Sequence, residues 1–239
     1  MGRPRILIVG GVAGGASAAA RTRRLSEDAD IIVFEKGPYV SYANCGLPYY
    51  LGNEIPDRSH LLVQTPESLY QRFRLDVRVR SEVIRIDRDA KQVVVRDLAA
   101  KRDYAEPYDA LILATGAVPL RPPIPGIERG GHFVLRDVPD ALAVDAYLAA
   151  HPGGRAVVVG GGYIGLEMAE QLVRRGHPVT LVEALPQVAS FLDAEMAVYL
   201  HSELRGQGVD LYLNSPVAAF EDPTDTEHAA ASVVVLKDG

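Results

Sequence analysis

Two stretches of this chain follow the same local order: a short apolar run, a glycine-rich turn, a helix-forming stretch, a second apolar run and a closing glutamate. The first copy reads Ile6-Leu7-Ile8-Val9, then Gly10-Gly11-Val12-Ala13-Gly14-Gly15, an alanine-rich stretch from Ala16 to Leu25, and Ile31-Ile32-Val33-Phe34 ending on Glu35. The second reads Arg155-Ala156-Val157-Val158-Val159, then Gly160-Gly161-Gly162-Tyr163-Ile164-Gly165, a helical stretch through Leu166-Glu167-Met168-Ala169-Glu170, and Val179-Thr180-Leu181-Val182 ending on Glu183. Apolar runs that do not alternate with polar residues mark parallel strands covered on both faces. Strand, glycine turn and helix in this order form half of a mononucleotide-binding unit. The fold class expected is therefore α/β, with two Rossmann-like dinucleotide-binding domains.

The chemistry of each unit follows from residue type. Glycine lets the backbone approach a pyrophosphate, and the helix N-terminus offers free N–H groups and the positive end of a dipole. An acid about twenty residues beyond the glycines can accept hydrogen bonds from a ribose diol. The second unit has all three fingerprint glycines, at Gly160, Gly162 and Gly165, whereas Val12 replaces the middle glycine of the first. Glu183 can bind a ribose 2′-hydroxyl but repels a 2′-phosphate, and Ala184-Leu185-Pro186-Gln187 supplies no compensating cation. NADH is expected over NADPH, with NADPH still possible.

Between the two units in sequence lies the single cysteine, Cys45, in Ser41-Tyr42-Ala43-Asn44-Cys45-Gly46-Leu47-Pro48-Tyr49-Tyr50. A lone thiol beside two nucleotide units reads as an electron relay, and the competing reading is an inert packing residue. Pro48 suits the first turn of a helix. The positive end of such a helix would stabilise a Cys45 thiolate.

Composition removes several other classes. Lys and Arg number 25 against 31 Asp and Glu, a net charge of −6 that argues against general nucleic-acid binding. No apolar run approaches membrane-spanning length. One cysteine forms no internal disulfide, and no Cys/His spacing suggests a metal site, so a protein of the reducing cytoplasm is expected. Residues 1–20 carry a weak likeness to a secretory signal, with Arg3 and Arg5 before an apolar stretch and Ala18-Ala19-Ala20 as a small-residue site. That reading leaves the paired glycines and Glu35 unexplained. Gly2 does not begin a myristoylation site, because Ile6 stands where serine or threonine is required. The six histidines form no constellation with acids or serines and read as surface or packing residues.

Elsewhere, Glu82 to Asp87 and Gln92 to Val95 alternate around Arg88-Asp89-Ala90 as a hairpin. Tyr108 to Gly116 reads as a buried strand entering a glycine turn. Pro119, Pro122, Pro123 and Pro125 with Gly126 mark a linker, which divides the chain into domains 1–117 and 118–239. Ser232 to Leu236 reads as a strand, and Lys237-Asp238-Gly239 as a turn whose return strand is absent, so a truncated chain is expected.

Taken together, the 41–50 segment, Tyr108 to Gly116, the proline linker and Gly160 to Glu167 resemble the FAD-dependent pyridine nucleotide–disulfide oxidoreductases. Within them the chain resembles the single-cysteine coenzyme A-disulfide reductase branch, near the NADH oxidases and peroxidases. The resemblance implies FAD on Gly10, Gly11, Val12, Ala13, Gly14, Gly15, Glu35 and Lys36, with Ala114, Thr115 and Gly116 beside the flavin and Val83 near the adenine. It implies NADH on Gly160, Gly162, Tyr163, Ile164, Gly165 and Glu183. It implies coenzyme A disulfide or a persulfide as substrate, met by Ser17, Arg21, Arg24, Ser41 and Asn44, with Cys45 catalytic. Arg21, Arg23 and Arg24 equally fit the solvated face of a surface helix. The resemblance also implies a homodimer, and a missing C-terminal part of the family fold. Two other activities stay open: an NADH oxidase or peroxidase cycling Cys45 through a sulfenic acid, and a non-catalytic nucleotide-binding fragment.

Overall fold

The computed structural model describes residues 2–223 and 232–237. The chain forms two compact units, Met1–Ala43 with Arg58–Ala117 and Asn44–Asp57 with Val118–Gly239. The division expected at residues 1–117 and 118–239 thus differs at one segment: residues 44–57, which carry Cys45, pack with the second unit.

In the first unit β1 (Arg5–Val9) leads through the glycine turn into α1 (Ala13–Leu25) and β2 (Asp30–Phe34). The chain then contributes α2 (Leu47–Leu51) to the other unit and returns as α3 (Pro66–Phe73) and β3 (Asp76–Arg78). An antiparallel sheet of β4 (Ser81–Asp87), β5 (Gln92–Asp97) and β6 (Arg102–Pro107) follows, and β7 (Ala110–Leu113) closes the unit. The parallel sheet has the order β3-β2-β1-β7. Alternate side chains of its central strands point to opposite faces. Ile8, Ile31 and Val33 pack with Ala19 of α1 and Leu69 of α3. Leu7, Ile32 and Phe34 pack with Val93 and Val95 of β5. Both faces are therefore covered, which is why the two strand sequences are apolar throughout. The predicted hairpin is β4–β5, with an irregularity between Val83 and Arg85. The strand expected at 108–116 is the shorter edge strand β7, and its Leu113 is 58% exposed.

In the second unit α4 (Val138–Ala150) begins with a capping box, Asp137 and Asp140 each bonding the other's backbone N–H. Next come β8 (Ala156–Val159), α5 (Tyr163–Arg174), β9 (Val179–Val182), α6 (Ala194–Gly206) and β10 (Asp210–Tyr212). The parallel sheet has the order β10-β9-β8. Leu181 and Val179 are buried against Ala169 and Leu172 of α5, with Val209 in the same cluster. Removing a side chain of the Leu181 kind from such a core costs about 2–5 kcal/mol. The final ladder pairs β11 (Val217–Glu221) with β12 (Val233–Leu236). The strand expected at 232–236 thus has its partner upstream, and the turn expected at 237–239 lies largely outside the described residues. The proline linker is tied to this ladder, since Phe220 N–H donates to Pro125 O at 2.8 Å. No helix among the described residues is long and apolar enough to cross a membrane.

Candidate functional site

The two glycine turns are built to one plan. Gly10 N–H donates to Phe34 O and Gly160 N–H to Val182 O, each at 2.8 Å, so each turn starts where its neighbouring strand ends. Both residues hold positive φ, +97° and +104°. A Cβ on Gly15 would stand 1.7 Å from Gly10 O, and one on Gly165 would stand 1.9 Å from Gly160 O, so helix and strand meet at a distance only glycine allows. In both copies the chain beyond the acid folds back onto the turn. Ser41 N–H donates to Gly11 O at 2.9 Å and Ala189 N–H to Gly161 O at 2.7 Å, with φ of +47° and +48°. Val40 and Val188 pack under Gly11 and Gly161, where any added Cβ would meet them at 2.8 and 2.7 Å.

The acids close each loop. Glu35 accepts from Gly11 N–H at 2.7 Å and Gly37 N–H at 2.8 Å. Glu183 accepts from Gly161 N–H at 2.6 Å and Leu185 N–H at 2.8 Å. Each carboxylate has about four lone-pair positions, so capacity remains for a ribose diol. Lys36 pairs with Glu82 at 2.9 Å, one residue before Val83. Ala114 N–H donates to Val9 O, and the Ala114 carbonyl lies against Gly10, with Thr115 and Gly116 following. Gly10, Gly11, Gly15, Glu35 and Ala114 thereby meet at one sheet end, with Lys36 tied to Glu82 beside Val83.

The helices that follow the turns differ from α3 and α4 at their N-termini. α3 and α4 have capping boxes, whereas α1 and α5 have no side-chain cap and no acid in the first turn. Their leading N–H groups are left for an anion. At Gly162 a Cβ would meet nothing within 4 Å, although φ of −78° admits any residue. A side chain there would fill open space at the helix start, the place a pyrophosphate takes. The residues present fit a dinucleotide in each unit. Tyr163 and Ile164 are exposed beside this opening, and Tyr163 stacks on Phe191 at 4.2 Å between ring centroids.

Cys45 is exposed, in a single 3-10 turn (Asn44–Gly46) that runs into α2. Pro48 stands in the first turn of α2 as predicted, but the helix has only five residues. A helix of little more than one turn has a correspondingly small dipole at its N-terminus. Beside it Tyr49 carries a phenol raised above its ordinary value of 10.0, first by the Glu167 carboxylate of α5, then by burial and by Glu170 and Glu54. The phenol therefore stays a donor through neutral and moderately alkaline pH.

Sequence reasoning missed the residues that hold this segment. Gln171, 1% exposed, donates through Nε2 to Glu54 at 2.9 Å. Arg175 donates to Leu51 O at 2.9 Å and to Asp145 at 2.6 Å, and Arg174 pairs with Glu54 at 2.9 Å. The available signal was a run of polar residues on a helix face that packs inside the unit.

The three arginines of α1 separate. Arg23 donates to the carbonyls of Phe73 and Arg74 at the end of α3 and of Ser26 and Glu27 at the end of α1. It is a structural clamp. Ser17, Arg21 and Arg24 lie at helical spacing on one exposed face. Ser41 belongs to the same unit, and Asn44 to the other. Among the described residues no cluster of three His, Cys, Asp or Glu side chains could hold a metal ion.

Known proteins share this arrangement. The family described as pyridine nucleotide-disulphide oxidoreductase matches residues 4–239. Coenzyme A disulfide reductase of Staphylococcus aureus (strain JH9) is 37% identical over 217 residues, covering 91% of this chain and 49% of that protein. The crystal structure of reduced Bacillus anthracis CoADR-RHD is similar with a TM-score of 0.93 and 47% identity, covering 100% of this chain and 42% of that one. A NAD-dependent persulfide reductase from A. fulgidus has a TM-score of 0.89 and 34% identity, covering 97% of this chain and 42% of that one. The chain spans about half the length of the curated relatives it matches. With two dinucleotide-type units, the glycine turns that define them and one exposed thiol, the chain belongs to the pyridine nucleotide–disulphide oxidoreductase family.

Proposed function

We propose that the protein to which this chain belongs is a flavoprotein that takes electrons from NADH and reduces coenzyme A disulfide, or a persulfide or polysulfide, at Cys45. The observation that carries this reading is the exposed single thiol, set on a short turn in a chain whose two glycine turns each end in a carboxylate loop. FAD would be held by the 10–15 turn, Glu35, Lys36, Val83 and Ala114–Gly116, and when bound it supplies the two-electron transfer between nicotinamide and sulfur. NADH would be held by Gly160, Gly162 and Gly165, with Glu183 on its ribose and Tyr163 and Ile164 beside the opening.

The chain's own part is thiol–disulfide exchange. The Cys45 thiolate attacks one sulfur of the substrate, the substrate S–S bond breaks, a mixed disulfide with Cys45 forms, and the departing thiolate takes a proton from water. Two electrons originating in NADH then cleave the mixed disulfide, which returns Cys45 to the thiolate and releases the second half of the substrate as a thiolate that takes a proton from water. Ser17, Arg21 and Arg24 present a cationic face suited to the phosphates of coenzyme A, and Ser41 and Asn44 lie close to the cysteine in sequence. Glu183 pairs with no Lys or Arg among the described residues, which supports NADH over NADPH. Under the same reading the whole protein is a cytoplasmic homodimer, which light scattering and fractionation test.

The deciding experiment is NADH consumption by the full-length protein with coenzyme A disulfide, a persulfide, or oxygen and peroxide as acceptor. Acceptor-dependent turnover with the disulfide or persulfide supports the proposal. Rapid consumption with oxygen or peroxide alone would assign Cys45 to sulfenic-acid chemistry instead.

A further inference from the structure

We propose that Gln171 and Arg175 are positioning residues for the Cys45 thiol, clasping the short helix that follows it so that its place is set by α5. The proposal rests on reading Cys45 as the reacting group.

A five-residue helix has no stability of its own, since isolated helices below about 12–15 residues are marginal in water. What holds α2 must come from its neighbours. Gln171, Arg174 and Arg175 stand at i, i+3 and i+4 around α5 and converge on residues 51–54. Arg175 bonds the last carbonyl of α2 while its charge is met by Asp145 of α4, and its side chain is 14% exposed. This satisfies an orphan carbonyl and places a cation at the helix C-terminus.

Gln171 is the more telling residue. A buried amide is costly unless bonded, and an apolar side chain would fill this position more cheaply. A carboxylate only accepts, so Glu54 fixes which way the amide faces, with Nε2 toward Glu54. Its Oε1 is then buried without a hydrogen-bond partner, pressed on Gly52, where an added Cβ would stand 1.7 Å away. Gly52 ends α2, so the amide fills the side-chain space there and leaves the helix no room to slide along α5. The helix so held begins two residues after Cys45, and α5 begins at the second glycine turn.

The test uses the FAD-loaded full-length protein and the variants Gln171→Met and Arg175→Met, each checked by thermal melting. Iodoacetamide alkylation of the Cys45 peptide is followed by mass spectrometry across pH, beside steady-state kinetics. Loss of the clasp should shift the alkylation rate and lower kcat for the disulfide by about tenfold or more, while KM for NADH stays within about twofold. If a methionine variant fails to fold, Gln171→Asn decides, since it keeps the polar amide but is one methylene too short to reach Glu54 and fill the space over Gly52. Folded variants with an unchanged alkylation profile and unchanged kcat overturn the proposal. Turnover that survives Cys45→Ser would instead remove the Cys45 reading, while the alkylation profile still judges the clasp.

Discussion

Glu183 accepts the backbone N–H of Gly161 at 2.6 Å, so the acid proposed for the ribose also holds the turn proposed for the pyrophosphate. The same residue takes Leu185 N–H, and Glu35 repeats the pattern with Gly11 and Gly37. Glu183→Ala therefore does two things at once. It removes the repulsion that disfavours a 2′-phosphate, and it frees two backbone donors. Charge-assisted hydrogen bonds contribute about 1.5–3 kcal/mol each. Affinity for both nucleotides should fall, that for NADH by about tenfold or more, and the gap between NADH and NADPH should narrow. Titration calorimetry with each nucleotide checks this; tighter binding of NADPH than NADH by the unmodified protein would refute it.

Cys45→Ser in the full-length protein should keep the flavin spectrum and NADH binding but lose disulfide reduction, by at least about a thousandfold, because Cys45 is the proposed nucleophile. Stopped-flow reduction of the flavin by NADH, measured beside turnover, separates the two half-reactions.

The arginines of α1 should divide by effect. Arg23→Ala strips four carbonyls of a charged donor and should cost about 2–4 kcal/mol in chemical denaturation. Arg21→Ala and Arg24→Ala, on the exposed face, should leave stability within about 0.5 kcal/mol and raise KM for coenzyme A disulfide. A KM unchanged by the double substitution removes these two residues from the substrate site.

His201 gives a pH dependence. Its Nε2 accepts Val188 N–H at 3.2 Å, which requires the neutral ring, and Val188 packs beneath Gly161. Burial first, then the charge of Arg205, holds its pKa below the ordinary 6.5. The folded state thus binds this proton less readily than the unfolded chain. The contribution is complete above the unfolded value and is lost as pH falls through the folded one. Melting temperature and NADH affinity should both decline as pH falls below 6.5, and His201→Gln should flatten that decline. Equal slopes in the two proteins would show that other groups cause it.

What could be read in advance depended on how local the cause was. Strand, glycine turn, helix and acid are contiguous, so Gly10, Gly15, Glu35 and their counterparts at Gly160, Gly165 and Glu183 were identifiable from spacing alone. β6 was missed because Arg102-Asp103-Tyr104-Ala105-Glu106 looks like a polar loop, and becomes a strand by pairing with β5 and through the Arg96–Asp103 ion pair. The role of Arg23 was ambiguous because its partners Phe73 and Arg74 are distant in the chain. Gln171 and Arg175 showed only as polar residues on a helix for the same reason: nothing in the α5 sequence says which helix lies against it.

The cysteine segment is held by residues that the ribosome makes much later. Gln171 follows Glu54 by 117 positions and Arg175 follows Leu51 by 124. At about 5–20 residues per second, the thiol waits roughly 6–25 s during synthesis before its cradle exists. In that interval Cys45 lacks the contacts that α5 brings to its segment, and it stands open to any oxidant or stray disulfide in the cell. Its protection in newborn chains depends on the surrounding redox pool, and its specific placement is acquired only as α5 folds.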